Sequence, residues 1–189
     1  MSSKSKGSAR SVLERHLLKS RTVLLFGPIE PNLTKDIFQR LLVLSEADSK
    51  RPIKLLINSP GGVADDGFAM YDLIKSLEAP VTSVVTGLAA SAATIVLAAP
   101  PKERRLILPN SRVMLHQPSS GVQGTASDIA ISAKEIIRLR KKANELFVTE
   151  TGQPIDKLEE DMHRDYWMSA QESVDYGLIG RVIESLNDA

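Results

Sequence analysis

The chain has 189 residues, 42% of them hydrophobic and 25% charged, and its 24 basic against 23 acidic side chains leave a formal net charge of +1. That size and balance suit one globular domain with a single core, and they demand neither nucleic acid nor a membrane as partner. The absence of cysteine excludes disulfides and thiolate metal sites, and it is compatible with the reducing cytoplasm in which the chain is expected.

Residues 1–16 read as a flexible N-terminal segment and residues 17–189 as a single domain. The first ten residues hold Lys4, Lys6 and Arg10 with no apolar stretch after them, so no secretory signal is visible, and the tail is short for a transit peptide. Apolar β-branched runs follow at Thr22–Phe26, 53–58, 81–86, 105–108 and 113–116; they are short, and several end in Gly, Pro or Asn, as strands do. Between them, Ile37, Leu41 and Leu44 mark a helix over 34–46, and Met70, Ile74 and Leu77 mark another over 66–77. Residues 79–101 carry no charge and reach the length of a membrane-spanning helix, but Pro80, Gly87, Pro100 and Pro101 break them. They read as a buried strand followed by a buried helix. The longest helix is expected at about 125–151, with Ile129, Ala133, Ile136, Arg140, Ala143 and Phe147 on one stripe. Ser169 and Glu172 have the spacing of a capping box, with Gly177 closing that short helix. Strands alternating with helices argue an α/β fold, although the pattern does not fix strand order.

Chemistry has several candidate carriers. Ser91 follows an apolar strand and opens a helical run inside Thr-Gly-Leu-Ala-Ala-Ser-Ala-Ala. Small neighbours allow a sharp turn that exposes a hydroxyl, and a helix N-terminus offers unpaired N–H groups to an oxyanion. The G-x-S-x-G pattern of the nucleophile elbow is missing, and a serine merely packed among alanines is the competing reading. Asn-Ser-Pro-Gly-Gly (58–62) directly after a strand can aim backbone N–H groups inward, or can be an ordinary tight turn. His116 ends a strand and faces either a cleft or the core. His16 and His163 lie among charged residues at the surface. No H-E-x-x-H or i, i+4 histidine pair supports a metal site, and no Walker A loop supports a phosphate site. Asp165 precedes Tyr166, Trp167 and Met168, which points to a partly buried carboxylate in need of a partner. A serine needs a base, and the base needs a carboxylate to fix its tautomer, so these three form one consistent set.

The chain resembles the proteolytic subunit of the Clp protease, the ClpP family, over 17–183. The resemblance is carried by Ile-Asn-Ser-Pro-Gly-Gly (57–62), Gly-Leu-Ala-Ala-Ser-Ala (87–92) and Leu-Pro-Asn-Ser-Arg-Val-Met-Leu-His-Gln-Pro (108–118). Asn-Glu-Leu (144–146), Thr-Gly-Gln (151–153), Arg-Asp-Tyr-Trp-Met-Ser-Ala (164–170) and Tyr-Gly-Leu-Ile (176–179) add to it. It implies the ClpP/crotonase-like α/β spiral of ββα units, with the 125–151 helix as a protruding handle. It implies Ser91 as nucleophile, His116 as general base and acid, and Asp165 as the orienting carboxylate of a serine endopeptidase. Backbone N–H groups of Gly62 and Ala92 would form the oxyanion hole, and Val63 and Gly121 would flank the substrate. No metal or cofactor is implied. The partners implied are copies of the chain in seven-fold rings stacked in pairs, unfolded polypeptide substrates, and an AAA+ unfoldase that supplies the ATP hydrolysis.

Four departures stand out. Ala92 replaces the methionine usual after the nucleophile, and Leu88 a usual glutamine. His163 stands where the family generally has an acidic residue that pairs across the ring interface. The N-terminal segment lacks the aromatic-containing axial loop. Together they imply a divergent paralogue, one version of which works only in a mixed assembly with a second ClpP. A crotonase-like acyl-CoA enzyme is the alternative from another class. It would use glycine-rich oxyanion donors and a carboxylate, and it would have no need of the serine–histidine–aspartate set.

Overall fold

The computed structural model describes residues 12–119 and 121–189. Of the expected flexible segment 1–16, residues 1–11 lie outside the described residues, whereas residues 12–19 form a helix, α1. The expected boundary at 16/17 therefore falls inside a helix. Leu18 packs on the main core, and Glu14 reaches Arg40 at 3.7 Å, which gives this turn something to hold.

The apolar runs become parallel strands β1 (Thr22–Phe26), β2 (Ile53–Ser59), β3 (Val81–Ala90) and β4 (Arg105–Ile107). Along β2, Ile53, Leu55 and Ile57 are fully buried and alternate with more exposed residues, the period-two pattern of a strand with one face on a core. Helices α2 (Pro31–Ala47) and α3 (Ala64–Ser76) cross between successive strands. They bury Ile37, Leu41 and Leu44, and Phe68, Met70 and Ile74, in the same apolar cluster as β2.

Strand β3 is longer than the sequence pattern suggests, running to Ala90 rather than to residue 86. Its two halves have different neighbours. Ser83–Val85 pair with β4, whereas Leu88–Ala90 pair with β5 (Arg112–Leu115). Gly87 stands at the changeover, where a Cβ would lie 2.8 Å from Asn58 Oδ1. A glycine that reads as a strand end is thus a point of close approach within a strand. The sheet forks here: β7 (Arg181–Val182) extends one branch beside β4, and β6 (Tyr166–Ser169) closes the other, antiparallel to β5.

The six residues of α4 (Ala92–Leu97) are all buried, so residues 79–101 divide into a buried strand and a buried helix as expected. Helix α5 (Ala126–Thr151) starts at a Thr125–Asp128 capping box and stops at Gly152, whose φ is +78°. Its buried residues are Ala143, Asn144 and Phe147, and Ile129, Ile131 and Ile137 are 46%, 63% and 67% exposed. The first half of α5 therefore projects from the body. Helices α6 (Ile155–Asp161) and α7 (Ala170–Asp175) complete the chain, α7 beginning at the expected Ser169–Glu172 capping box. Among the described residues, no helix is long and apolar enough to cross a membrane.

Candidate active site

Strand register brings Ser91, His116 and Asp165 together. Pairing of β3 with β5 sets Ala90 beside Met114, and the Ser91 N–H donates to the Met114 carbonyl at 2.9 Å. His116 lies two residues further on. The antiparallel β5–β6 ladder ends at Leu115↔Tyr166, and one more step places His116 opposite Asp165. The side chains meet accordingly, with His116 Nε2 2.7 Å from Ser91 Oγ and His116 Nδ1 3.2 Å from Asp165 Oδ1. A proton on Nδ1, donated to Asp165, leaves Nε2 as an acceptor for the serine hydroxyl.

Ser91 caps α4 with φ +54° and ψ −128°, a strained backbone for a residue with a Cβ. Such conformations cost about 1–3 kcal/mol and persist only where the surroundings enforce them. Here the strand ladder holds one side, and the Thr94 N–H (2.9 Å) and hydroxyl (2.5 Å) both donate to the Ser91 carbonyl on the other. Gly61, with φ +88°, lies against the outside of this turn so closely that a Cβ would sit 2.7 Å from Ser91 Cβ.

Two N–H groups remain beside the hydroxyl. Ala92 is the first residue of α4, where an N–H has no partner within the helix. The Ile29↔Gly62 bridge is closed by Ile29 N–H to the Gly61 carbonyl and Val63 N–H to the Ile29 carbonyl, so the Gly62 N–H is not used in it. Gly62 and Ala92 share the wall of one cavity with Ser91 and His116.

That cavity has a volume of about 430 Å³, and its apolar lining comes from Phe68, Ile95, Met114, Leu139, Phe147 and Met162, beside the polar Asp65, Thr94 and Ser119. Val63, 47% exposed, stands at its rim. Gly121, also exposed, lies in the segment before α5 and does not line the cavity. A Cβ on Gly67 would meet Ala92 Cβ at 3.2 Å, so a small residue at 67 lets α3 pack closely on the start of α4.

One expectation about the setting needs correction. The Asp165 carboxylate is 59% exposed rather than partly buried, because it precedes β6, an edge strand whose Trp167 also faces outward at 45% exposure. What steadies it is Gln117, a residue without an individual sequence signal. The Gln117 N–H donates to the Met162 carbonyl at 2.7 Å and its side-chain amide to the His163 carbonyl at 2.8 Å, stitching the end of β5 to the segment that carries Asp165. The cavity-lining Phe68, Phe147 and Met162 likewise read as ordinary core residues in one dimension. His16 and His163 are exposed. Among the described residues, no group of three or more His, Cys, Asp or Glu side chains is arranged to hold a metal ion.

The Clp protease family model matches residues 4–186. The ATP-dependent Clp protease proteolytic subunit 3 of Rhizobium johnstonii is 45% identical over 175 residues, which cover 93% of this chain and 90% of that protein. Proteolytic subunit 2 of Treponema denticola is 42% identical over 185 residues, covering 98% of this chain and 92% of that protein. Among solved structures, a point mutant of ClpP1 from Listeria monocytogenes matches with a TM-score of 0.86 at 39% identity, covering 93% of this chain and 98% of the other.

Proposed function

This chain belongs to the Clp protease family, and we propose that it is a serine endopeptidase that cleaves unfolded polypeptides through an acyl-enzyme. The observation that carries the proposal is the hydrogen-bonded run Ser91–His116–Asp165, at 2.7 Å and 3.2 Å, whose Ser91 and His116 line a cavity with several apolar walls. His116 Nε2 takes the hydroxyl proton as Ser91 Oγ attacks the scissile carbonyl, while Asp165 holds the imidazole in the needed tautomer and stabilises the imidazolium. The N–H groups of Gly62 and Ala92 receive the oxyanion, each such donor contributing about 2.7–4 kcal/mol. His116 then gives its proton to the leaving amine, and water, activated by the same imidazole, releases the acyl group. Val63 and Gly121 are assigned to the substrate's extended backbone.

The chain works in seven-fold rings stacked in pairs, fed in the cytoplasm by a Clp-type AAA+ unfoldase that hydrolyses the ATP. Ile129 and Ile137, exposed two turns apart on one side of α5, support this, because an uncovered apolar side of a helix is suited to a neighbouring ring. A fluorophosphonate probe tests the chemistry: the assembled particle should be labelled at Ser91, and Ser91→Ala should not be labelled. A second reading is a ring subunit weakly active alone that needs a second ClpP. The exposed Asp165 carboxylate favours it, as do the subunit numbers in the relatives' names. Labelling that appears only after mixing with a partner subunit, with mixed rings seen by native mass spectrometry, would select it.

A further inference from the structure

We infer that a buried clasp centred on Glu150 sets the width of the cavity beside Ser91 and so positions the walls that select substrate; the inference rests on the proteolytic reading of that site. Glu150 has no part in the mechanism above, yet its side chain is only 7% exposed. It stands in the last turn of α5 and receives three donors. These are Lys75 Nζ at 2.8 Å, the Tyr71 hydroxyl and the Arg105 guanidinium. Tyr71 and Lys75 belong to α3, and Arg105 opens β4. Arg105 is itself fully buried and spends its other N–H groups on the carbonyls of Pro100 (2.7 Å) and Glu150 (2.8 Å). One carboxylate thus joins α5, α3 and the sheet.

Helical spacing carries this contact to the site. Phe68 lies one turn before Tyr71 on α3, and Phe147 lies one turn before Glu150 on α5, so each pair shares a helix face. Phe68 and Phe147 both line the cavity beside Ser91. Holding Tyr71 against Glu150 therefore holds Phe68 at a set distance from Phe147. Apolar packing supplies part of this hold, since Ala143 and Phe147 are buried and Leu139, Leu146 and Val148 pack against the core. Hydrophobic contact is non-directional, whereas charge-assisted hydrogen bonds define position and register. A weaker tie joins the same two helices, with Lys142 Nζ 3.9 Å from the centre of the Phe68 ring.

The test compares wild type, Tyr71→Phe and Glu150→Gln as assembled particles. The substrates are peptides that differ only in the residue before the scissile bond, Phe against Ala. The kcat/KM preference for Phe should fall by about tenfold in Glu150→Gln and by about threefold in Tyr71→Phe, through KM of the Phe peptide. Ser91 labelling by a small fluorophosphonate should stay within about twofold of wild type, because that probe does not need the cavity walls. A purely structural role would lower both peptides together, and an unchanged preference in the folded variants overturns the inference. If Glu150→Gln does not fold, Tyr71→Phe decides, since it keeps both ion pairs of Glu150. If wild type shows no Ser91 labelling either alone or mixed with a partner subunit, the proteolytic reading fails separately. The clasp is then judged on crystal structures of wild type and Tyr71→Phe, where an unchanged Phe68–Phe147 separation overturns it.

Discussion

Replacing Gly61 by alanine would put a Cβ 2.5 Å from the Ala90 carbonyl oxygen, 2.7 Å from Ser91 Cβ and 2.9 Å from the Ala92 nitrogen. All three atoms belong to the turn that aims the Ser91 hydroxyl, and none is the end of a flexible side chain that could swing away. To reach even the closest contacts real methyl groups make, the turn must retreat by roughly 0.5 Å, and a displacement of about 1 Å at a reacting group can cost about 10²-fold in rate. Gly61 also has φ +88°, where a residue with a Cβ costs about 1–2 kcal/mol. Gly27 separates the two effects: its φ is +89° and an added Cβ there meets nothing within 4 Å. Gly27→Ala thus carries the backbone penalty without the collision. The assay is the second-order rate of fluorophosphonate labelling at Ser91, paired with thermal unfolding of both variants. Both should lose stability, but Gly61→Ala alone should lose labelling, by about tenfold, since half of the 1 Å displacement takes half of the logarithmic loss. Equal labelling of the two variants would refute the idea that close approach at Gly61 shapes the Ser91 turn.

Two other outcomes follow from strain and charge. Ser91→Gly and Ser91→Ala should both abolish labelling, but the glycine variant should unfold at the higher temperature, by about 1 kcal/mol of stability, because only glycine accepts φ +54° without a Cβ penalty. Burial pushes the Glu150 carboxyl up, but hydrogen bonds from Lys75 and Tyr71 and the Arg105 charge outweigh it and hold the group below its ordinary value of 4.5. Its folded-state value being depressed, Glu150 contributes stability in full above about pH 4.5, and that contribution disappears as pH falls through the folded value. Glu150→Gln, which leaves Arg105 buried without its charge partner, should therefore cost about 3–5 kcal/mol at pH 7, with the gap to wild type narrowing below pH 4.5 in a series of thermal melts.

The elements legible in the sequence are those with a local cause. The 125–151 helix shows in its apolar stripe, its threonine cap and its C-terminal glycine, each a short-range interaction. Strands β6 and β7 are four and two residues long and exist through the neighbour they pair with, so they are too short for an alternating pattern to mark them. The sequence pattern ends β3 too early for the same reason: Gly87 breaks the apolar run, yet the ladder to β5 continues past it. For the site, Ser91, His116 and Asp165 each carry a weak local signal, and it is the requirement of proton transfer together with the Clp resemblance that groups them. Gln117, Phe68 and Phe147 have roles set by what lies across the cavity or the strand end, which a one-dimensional pattern does not contain.

The three residues of the site are also held with unequal strength, and the fold says in what order. Ser91 is fixed by an interior strand behind it and a fully buried helix ahead of it. His116 follows β5, which is paired on both sides. Asp165 precedes an edge strand, is 59% exposed, and makes the longer bond of the pair, 3.2 Å against 2.7 Å. Loosening of the site therefore reaches Asp165 before it reaches Ser91. The two hydrogen bonds from Gln117 across to Met162 and His163 are then the ties on which the carboxylate's alignment depends within the chain.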